Sequence, residues 1–240
     1  MKTKYYLLVV LTLLFACQGE SQKSASAETS DSMRQENKVV TEASDASKVN
    51  IKDIFLLLPD DVFPLEEINI EKRELLLKHI GEDKAYDISP TPIGVCDVKN
   101  GYLNLTGMQF GWEMCYWNLK DGRKLVIVNQ GTESGSILNY FFYENGKLIE
   151  DLNFDGISNI YWKADDFIHL SELNLNTRKE VEQKFARAEY ILYYKLPQKG
   201  TSIQVTLDTY ALMDYSETNE ISEAATKEVT LKWENEKWVK

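Results

Sequence analysis

The stretch Trp112-Glu113-Met114-Cys115-Tyr116-Trp117-Asn118-Leu119-Lys120-Asp121-Gly122-Arg123-Lys124-Leu125-Val126-Ile127-Val128 sets the class of fold. Two runs rich in aromatic and aliphatic side chains flank Asp121-Gly122. An Asp-Gly or Asn-Gly step between such runs signals a β-hairpin, because both residues tolerate the positive φ of a tight turn. The signal recurs at Asn100-Gly101 and Asn145-Gly146, 21 residues before and 24 residues after. Around the turns lie segments 95–98, 102–105, 112–119, 124–128, 137–143 and 147–152, which predict a β-meander. The spacing is too irregular, and the flanks too different, for a true repeat.

On the N-terminal side, Ile54, Phe55, Leu56, Leu57 and Leu58 form an apolar cluster closed by Pro59, long enough for a helical turn or two. Residues 71–80 carry Leu75, Leu76, Leu77 and Ile80, with Gly81 as the stop. On the C-terminal side, Thr177 with Glu180 has the spacing of a capping box, and Val181, Phe185 and Ala188 follow on one face. Strands at 190–196 and 202–212 flank Pro197-Gln198-Lys199-Gly200. A polar stretch, 214–226, then precedes a last hairpin at 228–233 and 237–239. The pattern predicts an α+β domain: a mostly antiparallel meander of hairpins with an N-terminal helical segment and one further helix. Whether the meander and the C-terminal strands share one sheet is not fixed by it.

The first residues have another purpose. Lys2 and Lys4 precede an apolar run at 5–16, which is too short for the ~20 residues of a membrane-spanning helix and has the make-up of a secretory signal. It ends in Leu14-Phe15-Ala16-Cys17, which resembles the lipobox of bacterial lipoproteins. The resemblance implies lipidation of Cys17 and cleavage before it, with the lipid chains holding the protein to a membrane. Gln18, rather than the Asp that retains enterobacterial lipoproteins in the inner membrane, points to the outer membrane of the cell envelope. Residues 18–50 hold seven serines, six acids, four bases and no aromatic side chain. Such a segment buries too little to offset its ordering entropy, so it reads as a tether with a reach of roughly 30 Å. Within it, Asp31-Ser32-Met33 resembles a short O-glycosylation site of some Bacteroidetes secreted proteins. The expected division is 1–16 signal, 17–50 lipidated cysteine and tether, and 51–240 a single globular domain.

Of 240 residues, 38 are acidic and 27 basic. The folded part keeps 32 of the acids and 21 of the bases, so the whole net charge of −11 belongs to it. That balance argues against nucleic acid, which needs a basic footprint. A cation, a neutral sugar, a peptide or a basic protein surface suits it better. Leu58-Pro59-Asp60-Asp61-Val62-Phe63-Pro64-Leu65, followed by Arg73, resembles the opening of uncharacterised Bacteroidetes lipoproteins. The match spans about twenty residues and implies no activity.

The chemical candidates are few. Asp151-Leu152-Asn153-Phe154-Asp155-Gly156-Ile157-Ser158-Asn159 places oxygen side chains at positions 1, 3, 5 and 9 and Gly at 6, a spacing able to wrap a hard cation. It is similar to calcium loops of EF-hand, dockerin and integrin-type propeller modules, with Asp151, Asn153, Asp155 and Asn159 as ligands to calcium. Trp162 stands where an EF-hand needs a bidentate acid. The competing reading is an Asx-stabilised turn leading from one strand into the next. Cys96 and Cys115 fall on strands separated by a third, beyond the ~7 Å limit for a disulfide, and read as small buried hydrophobes. No nucleophile elbow, zinc-protease helix or phosphate loop is present in the sequence. The pairs Asp60-Asp61, Glu66-Glu67 and Asp165-Asp166 would serve a carboxylate hydrolase only if two faced each other across a cleft. His79 and His169 read as structural. The rings of Trp112, Tyr116, Trp117 and Tyr140 to Tyr143 populate both sheet faces, one expected in the core and the other either core or a platform for sugar or peptide. The leading expectation is a non-catalytic binding or structural module, with a calcium-stabilised module and a hydrolase as alternatives.

Overall fold

The computed structural model describes residues 49–63, 68–152, 154–212 and 221–240. Cys17, the tether up to residue 48, Glu66-Glu67 and Asn153 lie outside them. Residues 93–150 form a six-stranded antiparallel sheet in strict sequence order: β1 (Ile93–Asp97), β2 (Tyr102–Leu105), β3 (Trp112–Asn118), β4 (Lys124–Thr132), β5 (Gly135–Glu144) and β6 (Lys147–Glu150). The register follows the turns. Trp117 pairs with Leu125 across Asp121-Gly122, and Glu144 pairs with Lys147 across Asn145-Gly146.

The sheet is covered on both sides. Leu125, Val126, Ile127 and Val128 of β4 are all fully buried, which is why that strand reads as a continuous apolar run instead of alternating. Each such side chain contributes about 1.5–3 kcal/mol relative to exposure. On one face lie α1 (Ile51–Leu57), α2 (Ile70–Lys78) and α3 (Ala85–Ile88). Ile51, Ile54, Phe55 and Leu76 there share a core with Leu103, Met114, Val126, Val128 and Phe141. Asn50 starts α1 with a capping box completed by Asp53.

The opposite face packs on the rest of the chain: α4 (Ala164–Phe167), α5 (Leu175–Ala186), β7 (Leu192–Lys195), β8 (Ile203–Leu207), α6 (Thr209–Leu212), β9 (Val229–Glu234) and β10 (Lys237–Val239). The C-terminal strands form their own antiparallel sheet, in the order β10-β9-β8-β7. Trp117, Leu125, Ile127 and Phe142 share a core with Val181, Phe185, Ile203, Val205 and Leu231. The fold is α+β, with helices, central sheet and smaller sheet stacked in that sequence. Among the described residues no helix is long and apolar enough to cross a membrane.

Two local expectations shift. Asn174, not Thr177, caps α5: its Oδ1 accepts the N–H groups of Asn176 and Thr177, both at 3.0 Å. Asn serves an N-cap at least as well as Thr, and Thr177 turns inward, buried in the first turn. The strand expected at 202–212 ends at Leu207, because Asp208 accepts from the N–H groups of Tyr210 and Ala211 and starts a helical turn.

The apolar-Pro-Asp motif also acquires a physical role. Arg73 on α2 is 3% exposed. Its Nη1 donates to the carbonyl oxygens of Leu58 and Phe55, and its Nη2 donates to Asp60 Oδ1 at 2.9 Å. The guanidinium lies over the Phe63 ring, 5.3 Å from its centre. One helical arginine thus fastens the end of α1 and the Pro59-Asp60 turn that follows.

Candidate functional site: a buried polar seam between the two sheets

β7 is one of the two outer strands of the smaller sheet, and an outer strand presents unpaired backbone groups that water or another partner must satisfy. Here side chains of the central sheet supply the partners. Strand alternation sends Trp112 and Met114 toward the helices and Glu113, Cys115 and Trp117 toward the smaller sheet. Glu113 Oε1 accepts the N–H of Leu196 at 2.6 Å. Ser136 Oγ on β5 accepts the N–H of Tyr194 at 2.9 Å. Asn129 Nδ2 on β4 donates to the Tyr194 carbonyl at 2.6 Å and to Glu113 Oε1 at 3.0 Å. Three side chains from three strands therefore stand in for a missing neighbour of β7.

Tyr102 on β2 completes the group, donating from Oη to Glu113 Oε2 at 2.8 Å. Burial pushes the Glu113 carboxyl above its ordinary range. The N–H of Leu196, the Asn129 amide, the Tyr102 hydroxyl and the charge of Lys195 pull the other way without cancelling it. Burial, and then the neighbouring Glu113 charge, push the Tyr102 hydroxyl far up. A protonated Glu113 could donate to Tyr102 Oη in turn, so the contact survives in either protonation state. Asn129 Oδ1 is buried with no hydrogen-bond partner among the described residues.

This seam escaped the sequence reading. Its only trace there is one charged residue, Glu113, inside an otherwise apolar and aromatic strand. Nothing in the sequence pairs Glu113 with residue 196, 83 positions away.

The residues singled out beforehand sit elsewhere. In the 151–159 loop, Asp155 Oδ2 accepts the Asn159 side-chain amide at 2.7 Å, and the Asp155 carbonyl accepts the N–H of Ser158 at 2.7 Å. Gly156 has φ +52°, and a Cβ there would lie 2.4 Å from Cζ of Tyr140, so the ring and the backbone turn both demand glycine. The Asp151 N–H is bound by the Tyr140 carbonyl at 3.4 Å. The described part of the loop, between β6 and α4, is a turn over 155–158 seated on Tyr140 and braced by the Asp155–Asn159 side-chain contact. Among the described residues no group of three or more His, Cys, Asp or Glu side chains gathers as a metal cluster.

Cys96 and Cys115 are free thiols. Leu103 and Tyr102 of β2 stand between them, and they face opposite sides of the central sheet, Cys96 against the helical core and Cys115 in the other. Burial raises both thiols, Cys115 well above its ordinary value. Of the acid pairs, Glu66-Glu67 lies outside the described residues, and Asp60 and Asp166 of the other two have basic partners. Asp60 pairs with Arg73, and Asp166 accepts from the N–H of Lys163 at 2.8 Å and from Lys240 Nζ at 2.6 Å. His79 Nδ1 lies 2.7 Å from Glu82 Oε2 at the end of α2. Trp112, Trp117, Phe141, Phe142 and Tyr143 are buried, and Tyr116 and Tyr140 half-buried, so both faces of the aromatic sheet are core.

Comparison of the chain with protein-family models, with curated proteins and with solved structures finds no match.

Proposed function

We propose that the chain is a lipid-anchored lipoprotein of the cell envelope whose folded part is a non-catalytic binding or structural module. The observation that carries the reading is Leu14-Phe15-Ala16-Cys17 at the end of a charged-then-apolar leader. An aromatic-free, serine-rich stretch follows it before the folded residues begin. Support for a non-catalytic role comes from the use made of the polar groups. Glu113, Asp60, Asp166 and Asp155 are each committed to holding a strand edge, a turn or a helix end. Membrane attachment follows from the lipid: each methylene inserted contributes about 0.8 kcal/mol, and more than one chain makes attachment stable. Gln18 after the cysteine favours the outer membrane.

The test is Cys17→Ala in the expressing bacterium. The wild-type protein incorporates labelled palmitate and fractionates with membranes, and the variant does neither. A variant that still labels and sediments with membranes ends the proposal.

A second reading, calcium held by Asp151, Asn153, Asp155 and Asn159, rests on their spacing in the sequence and on the Asp155–Asn159 side-chain contact beside Gly156. Calcium there would exchange the Asn159 amide nitrogen for its oxygen at the Asp155 side. A rise in melting temperature with millimolar calcium, lost in Asp155→Ala, supports it, and an unchanged melting temperature ends it.

A further inference from the structure

Three turns of nearly the same sequence occur in one sheet, and only one is chemically unguarded. Asn100 is held twice by Asp97: its N–H donates to Oδ1 at 3.1 Å and its side-chain Nδ2 to Oδ2 at 2.7 Å. The ring of Tyr116 lies directly on Gly101, where a Cβ would come within 2.6 Å of Cζ. The backbone nitrogen that follows Asn100 is therefore shielded, and its amide carbon is fixed. Asp121 is held in the same way, its carboxylate accepting the Arg123 N–H at 3.0 Å and Nε at 2.7 Å. These bonds keep it ionised below the usual carboxylate range, and an ionised carboxylate resists attack.

Asn145 and Gly146 have neither a side-chain clamp nor a ring over the glycine. Both are exposed. The Asn145 side chain has no partner among the described residues, and around Gly146 a Cβ would meet open space. Asn145 sits at φ +50° and Gly146 at φ +80°. They connect β5 to β6, a four-residue strand at the margin of the central sheet. Short marginal strands open locally at low cost, giving the turn access to other backbone angles.

We propose that Asn145 is a spontaneous modification site, the first place where the folded chain converts an asparagine to an aspartyl or isoaspartyl residue. The Gly146 backbone nitrogen, having lost its proton to water, attacks the Asn145 side-chain carbon. The new C–N bond closes a succinimide, and the side-chain nitrogen leaves as ammonia. Water then opens either carbonyl of the ring. One opening restores a normal backbone with Asp at 145. The other routes the backbone through the side chain and lengthens it by one methylene. Either product adds a negative charge to an acidic domain, and the second removes the geometry that lets Glu144 pair with Lys147.

The experiment incubates the full chain in mildly alkaline buffer, natively and in urea, and follows both Asn-Gly peptides by mass spectrometry. The signature is the mass gain of exchanging NH for O, with isoaspartate resolved by chromatography. In the native protein Asn145 converts roughly tenfold or more faster than Asn100, the ratio that about 1.4 kcal/mol of protection represents. In urea the two rates become alike. Asp97→Ala, at an exposed turn, raises conversion at Asn100 in the native protein and leaves Asn145 unchanged. Equal native rates at the two sites, or faster conversion at Asn100, overturn the proposal.

Discussion

Glu113 on the third strand of the central sheet accepts the backbone N–H of Leu196, at the margin of the smaller sheet, over 2.6 Å. This contact joins two sheets that share no strand pairing, and Tyr102 and Asn129 hold its acceptor in place. Glu113→Ala leaves the Leu196 N–H and the Tyr102 hydroxyl without their acceptor in a buried seam, while Asn129 keeps only the Tyr194 carbonyl. The expected loss is about 2–4 kcal/mol, read as a drop in melting temperature or in the urea midpoint. Glu113→Gln retains one acceptor oxygen and loses less. A Glu113→Ala variant as stable as wild type would mean that the seam contributes nothing to the stacking.

The same carboxyl gives a signed dependence on pH. Burial raises Glu113 above its ordinary value, so between the unfolded and folded values the native state binds more protons than the unfolded one. Stability from this group is therefore fully present below the unfolded glutamate value of about 4.3 and falls as pH rises through the folded value. The unfolding free energy of wild type minus that of Glu113→Gln should decline across that window in urea titrations. A difference that grows with pH would show that the surrounding donors outweigh burial.

Arg73 offers a separate test in the helical layer. Arg73→Met keeps most of the packing on Phe63 but strands the Leu58 carbonyl and the Asp60 carboxylate. A cost of about 2–3 kcal/mol is expected, against 1–2 kcal/mol for Arg73→Lys, which keeps charge without the planar fork. Thermal melts of the two variants settle the order. If they lose equally, the fork geometry has no part in the clamp.

Gly131 tests close approach rather than polarity. A Cβ there would sit 1.9 Å from the Phe110 carbonyl oxygen, while the Gly131 N–H donates to Gly111 at 3.0 Å. Gly131→Ala must push that backbone aside and break the bond, for a loss of about 2–3 kcal/mol. Gly81→Ala provides the contrast. It has open space around its Cβ and a strained φ of +77°, so its cost should stay near 1 kcal/mol. Urea denaturation of both variants gives the ordering.

The meander was legible because its turns are encoded by adjacent residues. Asp121-Gly122 and Asn145-Gly146 fix where the chain reverses, and β4 announces burial on both faces through Leu125-Val126-Ile127-Val128. Elements begun by a single side chain were harder to place. Asp208 starts a helical turn with no apolar period to mark it, and in α5, which Val181 and Phe185 do announce, Thr177 imitates the cap that Asn174 supplies. The last turn, Asn235-Glu236, falls between the strands expected at 228–233 and 237–239 without an Asn-Gly or Asp-Gly step to mark it. Glu236 takes φ +61°, which its side chain does not favour, and its carboxylate accepts the N–H of Lys120 at 2.5 Å. The seam was invisible for a different reason. Its chemistry depends on Glu113, Asn129 and Ser136 from three strands meeting the backbone at Tyr194 and Leu196, and no local pattern records a meeting across two sheets.

Opposed cysteines on one sheet also make the protein its own instrument. Cys96 reports on the layer of helices and Cys115 on the layer of strands, with a single sheet as the partition between them. A thiol reagent applied under native conditions would therefore sort local openings by the side on which they occur. If the helices lift first, Cys96 reacts while Cys115 stays silent. If the two layers part together, both thiols are consumed at one rate, and the three-layer stack behaves as a single cooperative body.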